Sequence, residues 1–170
     1  KIYNLEELPK VDLVLEKNIP LGSGLGGGSA DAAATLRGLA QLWNTSLPID
    51  NGLALGADVP VCIKSTNQRM QGIGEILTDI EIFPKLSAVL INSGDKVSTL
   101  RIFKTLKSKY NQDIGSLPKN KLSFIETIHF LSNLRNDLEN PAIDLVPNIK
   151  NVLDVLNSCG SELSRMSGSG

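Results

Sequence analysis

Residues 20–30 read PLGSGLGGGSA, and five of the seven positions from Gly22 to Gly28 are glycine. Glycine is costly to order because its unfolded backbone has the most freedom to lose. A bare turn needs one or two glycines, not five. The spacing Gly22-x-Gly24-x-x-Gly27 also matches the dinucleotide fingerprint. That fingerprint calls for a strand feeding straight into the first glycine, and an acid about 20 residues on at the end of a second strand. Here Pro20 and Leu21 come first, and the acid at roughly that distance, Asp50, falls in a polar loop. A third reading is a phosphate cradle. Missing side chains let backbone N–H groups close on an anion, and the next helix points its positive end at the same place. Ser29 adds a hydroxyl for a phosphate oxygen or a magnesium ion. No Lys-Ser/Thr pair follows the glycines, so the loop is not a P-loop. A polyphosphate fits best.

Asp58 lies in LGADVP, among Leu55, Val59, Val61 and Ile63, which predict partial desolvation. Its plain reading is a turn aspartate ahead of a strand.

These residues need elements to hold them. Val11, Leu13 and Leu15 alternate with Asp12 and Glu16, which predicts a strand closed by Asn18-Ile19-Pro20. After the glycines, Ala32, Leu36, Leu39, Ala40 and Trp43 recur at helical spacing, with Ser29 as cap and Trp43 as a core residue. LGADVPVCI reads as a turn entering an apolar strand, GIGE (72–75) as a turn, and LSAVLIN (86–92) as another strand. Leu100, Phe103, Lys107 and Tyr110 outline a helix face. Further helices are expected near 121–133, after NDLENP, and around Val152, Leu153 and Leu156 with Pro147 in the first turn. SELSRMSGSG reads as a strand start running into a loop. Strands and helices mix without strict alternation, which favours an α+β fold. The polarity shift after GIGE places a boundary near 80–85.

Length allows one substantial domain or two small ones, for 170 residues. A composition of 41% hydrophobic and 21% charged residues is that of a globular chain. A net charge of -1 gives no support for binding nucleic acid or an anionic membrane surface, and no apolar run is long enough for a bilayer. Cys62 and Cys159 lack metal or disulfide spacing and read as small buried hydrophobes in a reducing, cytoplasmic setting. The start on Lys1 and the stop at SGSG are what a piece of a longer protein would show.

PLGSGLGGGSADAA resembles the central motif of the GHMP kinases, whose usual form is Pro-x-x-x-Gly-Leu-Gly-Ser-Ser-Ala. The variant GLGGGSADAAATL is similar to one branch, in the non-mevalonate isoprenoid route, that acts on a cytidine diphosphate ester of methylerythritol. KNIP, LW, LGADVP, GIGE, VST, NDLE and MSGSG resemble that branch in the same order. The resemblance implies a GHMP kinase fold. Its N-terminal half, 1–84, would be like ribosomal protein S5 domain 2 without its first strands, and its C-terminal half, 85–170, a truncated ferredoxin-like domain. It implies MgATP as cosubstrate, with Pro20, Leu21, Gly22, Ser23, Gly24, Leu25, Gly26, Gly27, Gly28, Ser29 and Ala30 around the triphosphate. Asp58 would be the catalytic acid of the pair that activates the 2-hydroxyl of the acceptor. Thr99 would lie against the methylerythritol end, a helix N-cap being its alternative. Gly168 to Gly170 would form a third glycine motif near substrate and cradle.

NDLE (136–139) reads as a structural turn whose polar side chains cap a helix, and His129 as a surface or packing residue. A monomer or weak homodimer in a bacterial cytoplasm or plastid stroma completes the implied picture. The branch also has an upstream strand lysine that partners the aspartate and a GYH segment that holds cytidine; neither is present, and Lys1 lies too close to the glycines for that role. An upstream segment carrying the lysine is therefore expected. The stretch 46–54 is also shorter than its counterpart. Two alternatives stand: another GHMP kinase of the homoserine or mevalonate type, or a nucleotide-binding module without turnover.

Overall fold

The computed structural model describes residues 8–20, 22–95, 98–108 and 110–170. The chain divides into two compact units. One holds the residues up to Pro20 and Gly26–Ile80; the other holds Leu21–Leu25 and Glu81–Gly170.

In the first unit, helix α1 (Gly27–Leu42) buries Ala33, Leu36 and Ala40, one apolar stripe at helical spacing. It packs on helix α2 (Val59–Lys64), where Ala33, Leu36 and Val59 form a small core with Leu47, Cys62 and Ile63. The expected strand over LGADVPVCI is therefore a helix. Pro60 sits in the first turn, where its missing N–H costs no bond, and Arg37 of α1 donates to the last carbonyls, Cys62 O at 2.8 Å and Ile63 O at 3.0 Å. Those contacts outweigh the strand preference of its valines and isoleucine. Strands β1 (Gln68–Gln71) and β2 (Ile76–Asp79) pair antiparallel from Gln68↔Asp79 to Gln71↔Ile76, with GIGE as their turn. Trp43, expected in the core, is half-buried at the end of α1 and donates its indole N–H to Pro9 O at 3.2 Å.

The second unit carries helices α3 (Thr99–Thr105), α4 (Phe124–Ser132), α5 (Glu139–Leu145) and α6 (Asn148–Ser158). Ile102, Ala142, Ile149 and Met166 form its core, flanked by Leu138 and Leu153. α3 stops at Thr105, short of the expected face through Tyr110, which is exposed. Pro147 is the cap of α6, one position before the first turn. Among the described residues this unit has no strand. Among the described residues, the stretches expected as strands over 11–15, 86–92 and at the start of SELSRMSGSG pair with no other strand. Val14 is 95% and Val89 75% exposed, so their alternation states a preference that no neighbouring strand satisfies. Cys62 is half-buried and Cys159 exposed, against the expectation of two buried thiols. No helix of the described residues is long and apolar enough to cross a membrane.

Candidate active site

The glycine segment divides between the units, Leu21–Leu25 going with the second and Gly26 onward with the first. Leu21 lies outside the described residues, as do Lys96 and Val97 next to Thr99. The glycines have different physical causes. Gly24 has φ 65°, and a Cβ there would stand 2.1 Å from Ser167 O, so backbone packing requires it. Gly26, with φ 67°, is the cap residue of α1. Gly27 and Gly28 answer to neither cause. A Cβ at Gly28 would meet nothing within 4 Å, and one at Gly27 only Lys17 Nζ at 3.7 Å.

What those two glycines leave is an open helix start. α1 has no side-chain cap and no acid in its first turn. Its first helical bond runs from Ala30 N–H to Gly26 O at 2.9 Å, so the N–H groups of Gly27, Gly28 and Ser29 come before the ladder begins. Unneutralised N–H groups and the helix dipole make this end positive. Ser29, expected as the cap, is instead the third helical residue and half-buried. Its place as cap is taken by Gly26, whose left-handed backbone begins the helix without a side chain. Lys17, bonded to Asp31, brings an ammonium beside Gly27. Sequence reasoning passed over this lysine; its signal was the cation of KNIP, three residues ahead of Pro20.

Ser29 Oγ lies 4.0 Å from where a Gly56 Cβ would be, so its hydroxyl adjoins the turn that carries Asp58. Asp58 stands at the cap position of α2 yet makes no side-chain cap bond. It is exposed, not partly desolvated as its apolar neighbours suggested, because Val59 and Pro60 turn into the core while Asp58 turns out. Its charge is felt locally. Burial first, and the Asp58 carboxylate second, push the Cys62 thiol up, with Arg37 opposing. The GIGE turn presses on the same place, since a Cβ at Gly74 would stand 2.1 Å from Ala57 O. Asp50 behaves differently. It accepts from Gly52 N–H at 3.1 Å and Ala54 N–H at 2.9 Å, and these bonds, Ala54 foremost, hold its carboxyl below the usual range.

In the second unit, Ser98 caps α3, accepting from Arg101 N–H at 3.4 Å, so Thr99 is the first helical residue and not the cap. The Thr99 and Ser169 hydroxyls are 2.7 Å apart. NDLE, read as a helix-capping turn, instead reaches across to the last glycine motif. Asn136 Nδ2 donates to Met166 O at 3.0 Å and Gly168 O at 2.8 Å, and Glu139 accepts from Met166 N–H at 2.9 Å. Ser167 Oγ donates to Gly24 O at 2.9 Å. A groove of about 600 Å³ opens beside Gly168, lined by Phe103, Leu106, Asn111, Arg135 and Leu138. His129 is exposed on α4. Among the described residues no three His, Cys, Asp or Glu side chains gather as a metal site.

Residues 1–72 match the GHMP kinases N terminal domain. The chain is 46% identical over 168 residues to the 4-diphosphocytidyl-2-C-methyl-D-erythritol kinase of Mesorhizobium japonicum, covering 95% of this chain and 56% of that protein. It is 48% identical over 164 residues to the enzyme of the same name from Sinorhizobium medicae, covering 94% and 54%. A crystal structure of 4-(cytidine 5'-diphospho)-2C-methyl-D-erythritol kinase superposes with a TM-score of 0.65 at 31% identity, over 91% of this chain and 57% of that one. The fold is thus the α+β fold of that kinase. The chain spans about half the length of the curated relatives it matches.

Proposed function

We propose that the full protein transfers the γ-phosphoryl group of ATP to the 2-hydroxyl of 4-diphosphocytidyl-2-C-methyl-D-erythritol, in the cytoplasm, as a step of isoprenoid synthesis. The observation that carries the reading is the bare start of α1, where two glycines required by neither packing nor backbone leave room for a phosphate. The N–H groups of Gly27, Gly28 and Ser29 and the Lys17 ammonium bind the triphosphate there, within the larger segment from Pro20 to Ala30. Magnesium suits this site, because it is held largely by phosphate oxygens and water and needs few protein ligands; the Ser29 hydroxyl would hold it, and it would neutralise charge on the transferring group. Residues 1–84 form the nucleotide-binding domain and 85–170 part of the acceptor domain, with Thr99, Gly168 and the groove beside it taking the cytidine diphosphate ester.

Asp58 orients the acceptor hydroxyl. Its oxygen forms a bond to the γ-phosphorus as the bond to the β–γ bridging oxygen breaks, ADP leaves, and the proton passes to the carboxylate. Exposure and the lack of a capping bond leave that carboxylate available. In the full-length protein, Asp58→Asn keeps the shape and removes the base. Turnover of the cytidine-linked substrate at saturating MgATP is expected to fall by roughly two to four orders of magnitude, with nucleotide affinity and melting curve nearly unchanged. Near-normal turnover in a folded variant would remove Asp58 from the mechanism. Wild-type protein that binds the ATP analogue but phosphorylates homoserine or mevalonate instead would redirect the acceptor assignment.

A further inference from the structure

We propose that Asn136 is a positioning residue for the nucleotide, acting through the turn Met166–Gly168 on the first half of the glycine loop. This rests on the nucleotide reading above and goes beyond it. An asparagine side chain offers two N–H donors and two acceptor lone pairs. Asn136 gives its Nδ2 to two carbonyls of the turn, Met166 O and Gly168 O, at 3.0 and 2.8 Å, while its Oδ1 accepts from Leu138 N–H at 3.0 Å. Glu139 takes the N–H of Met166 at 2.9 Å. The backbone of Met166 is therefore gripped on its N–H by one residue of NDLE and on its carbonyl by another. These partners lie 27 to 32 residues away in sequence, which helix capping does not explain.

The gripped turn holds Gly24. Ser167 Oγ donates to Gly24 O at 2.9 Å, and Gly168, with φ 56°, lies so close that a Cβ would stand 2.8 Å from the same oxygen. Gly170 N–H closes the turn on Ser167 O at 3.0 Å. Gly24, with φ 65°, is the centre of the segment Gly22–Leu25. A shift of Gly168 is thus passed to Gly24 without slack, and small displacements at a binding loop are expensive in affinity.

The test uses the full-length protein, a non-hydrolysable ATP analogue, and two variants. Asn136→Asp sets a carboxylate against two carbonyls; Asn136→Ser leaves one shorter hydroxyl in place of two amide donors, without adding charge, and serves if the first does not fold. Both are expected to lower analogue affinity on the order of tenfold and to raise KM for ATP in step, with kcat falling less. Amide exchange at Met166 and Gly170 should quicken in the same variants. Asn133→Ala is the control, since it deletes a comparable 2.8 Å bond, to His129 O at the end of α4. It should leave affinity at the wild-type value. Wild-type binding together with unchanged affinity in Asn136→Ser, whatever its melting temperature, overturns the positioning role and leaves the nucleotide reading standing. A wild type that binds no analogue overturns both.

Discussion

Helix α4 begins with a closed ring of hydrogen bonds. Ser123 accepts from Glu126 N–H at 3.3 Å, while Glu126 accepts from Ser123 N–H at 2.8 Å and from its hydroxyl at 2.6 Å. Helix α1 begins with none, on a left-handed glycine, with no acid in its first turn and a lysine beside it. Both starts face the same problem of orphan N–H groups. The first solves it locally with side chains, as a helix that only has to be stable would do. The second leaves it unsolved, over 16 residues of otherwise good helix. An unsolved start next to a cation is suited to an anion from outside the chain.

The contrast breaks first at Gly28. Gly28→Asp puts into α1 the acid that α4 already has, and a Cβ meets nothing there. The change should stabilise the helix start slightly, because a carboxylate suits the dipole. It should also repel a triphosphate, with analogue affinity falling by roughly a hundredfold or more, since like charges at close range cost several kcal/mol, about 4 at 4 Å near a protein surface. Calorimetric titration beside a melting curve reads both. Equal affinity in the variant would remove Gly28 from the phosphate site.

The opposite result is expected at α4. Ser123→Ala opens the ring and should cost about 1 kcal/mol, or roughly 2–4 °C in melting temperature for a chain of this size, with analogue affinity unaltered. A melting temperature equal to wild type would mean that the ring contributes little.

The smallest effect is in acid. Hydrogen bonds from the Ser123 side chain first, and its N–H second, lower the Glu126 carboxyl below its ordinary range. A lowered folded value means that the contribution is fully present above the unfolded value, about 4.3, and is lost as pH falls through the folded one. Amide exchange in the first turn of α4 should therefore quicken relative to its intrinsic rate as pH drops below about 4, while the first turn of α1, which holds no acid of its own, shows no such step. A parallel response at both starts would contradict the capping account.

What could be read without the structure follows the range of the interactions. The glycine run, the stripe of Ala33, Leu36 and Ala40, the GIGE turn and the last helix depend on neighbours within a few residues, and the sequence pattern carries them. Pairing is different. Val11–Leu15 and 86–92 have the alternation of strands, but a ladder needs a second strand, and none of the described residues supplies one. α2 was misread because its valines and isoleucine favour strands, while the cap from Arg37 comes from another helix. At the site, the glycines stood out by type and spacing, and Asp58 by the resemblance of LGADVP to a known motif. Lys17 did not, because what brings it to the helix start is an ion pair with Asp31, 14 positions away. The grip of Asn136 on Met166 and Gly168 was beyond any local signal.

The bond from Ser167 to Gly24 joins residues 143 positions apart. On a ribosome, Gly24 emerges long before its partner. At synthesis rates of about 5–20 residues per second, the interval is roughly 7–30 seconds. Helices α1 and α2 and the hairpin, all within residues 27–79, can form meanwhile from local contacts. The segment around Gly24 cannot, because its support has not yet been made. An unfinished chain therefore carries the helix of the cradle without the braced loop that leads into it. The loop is thus completed only once synthesis has passed Ser167.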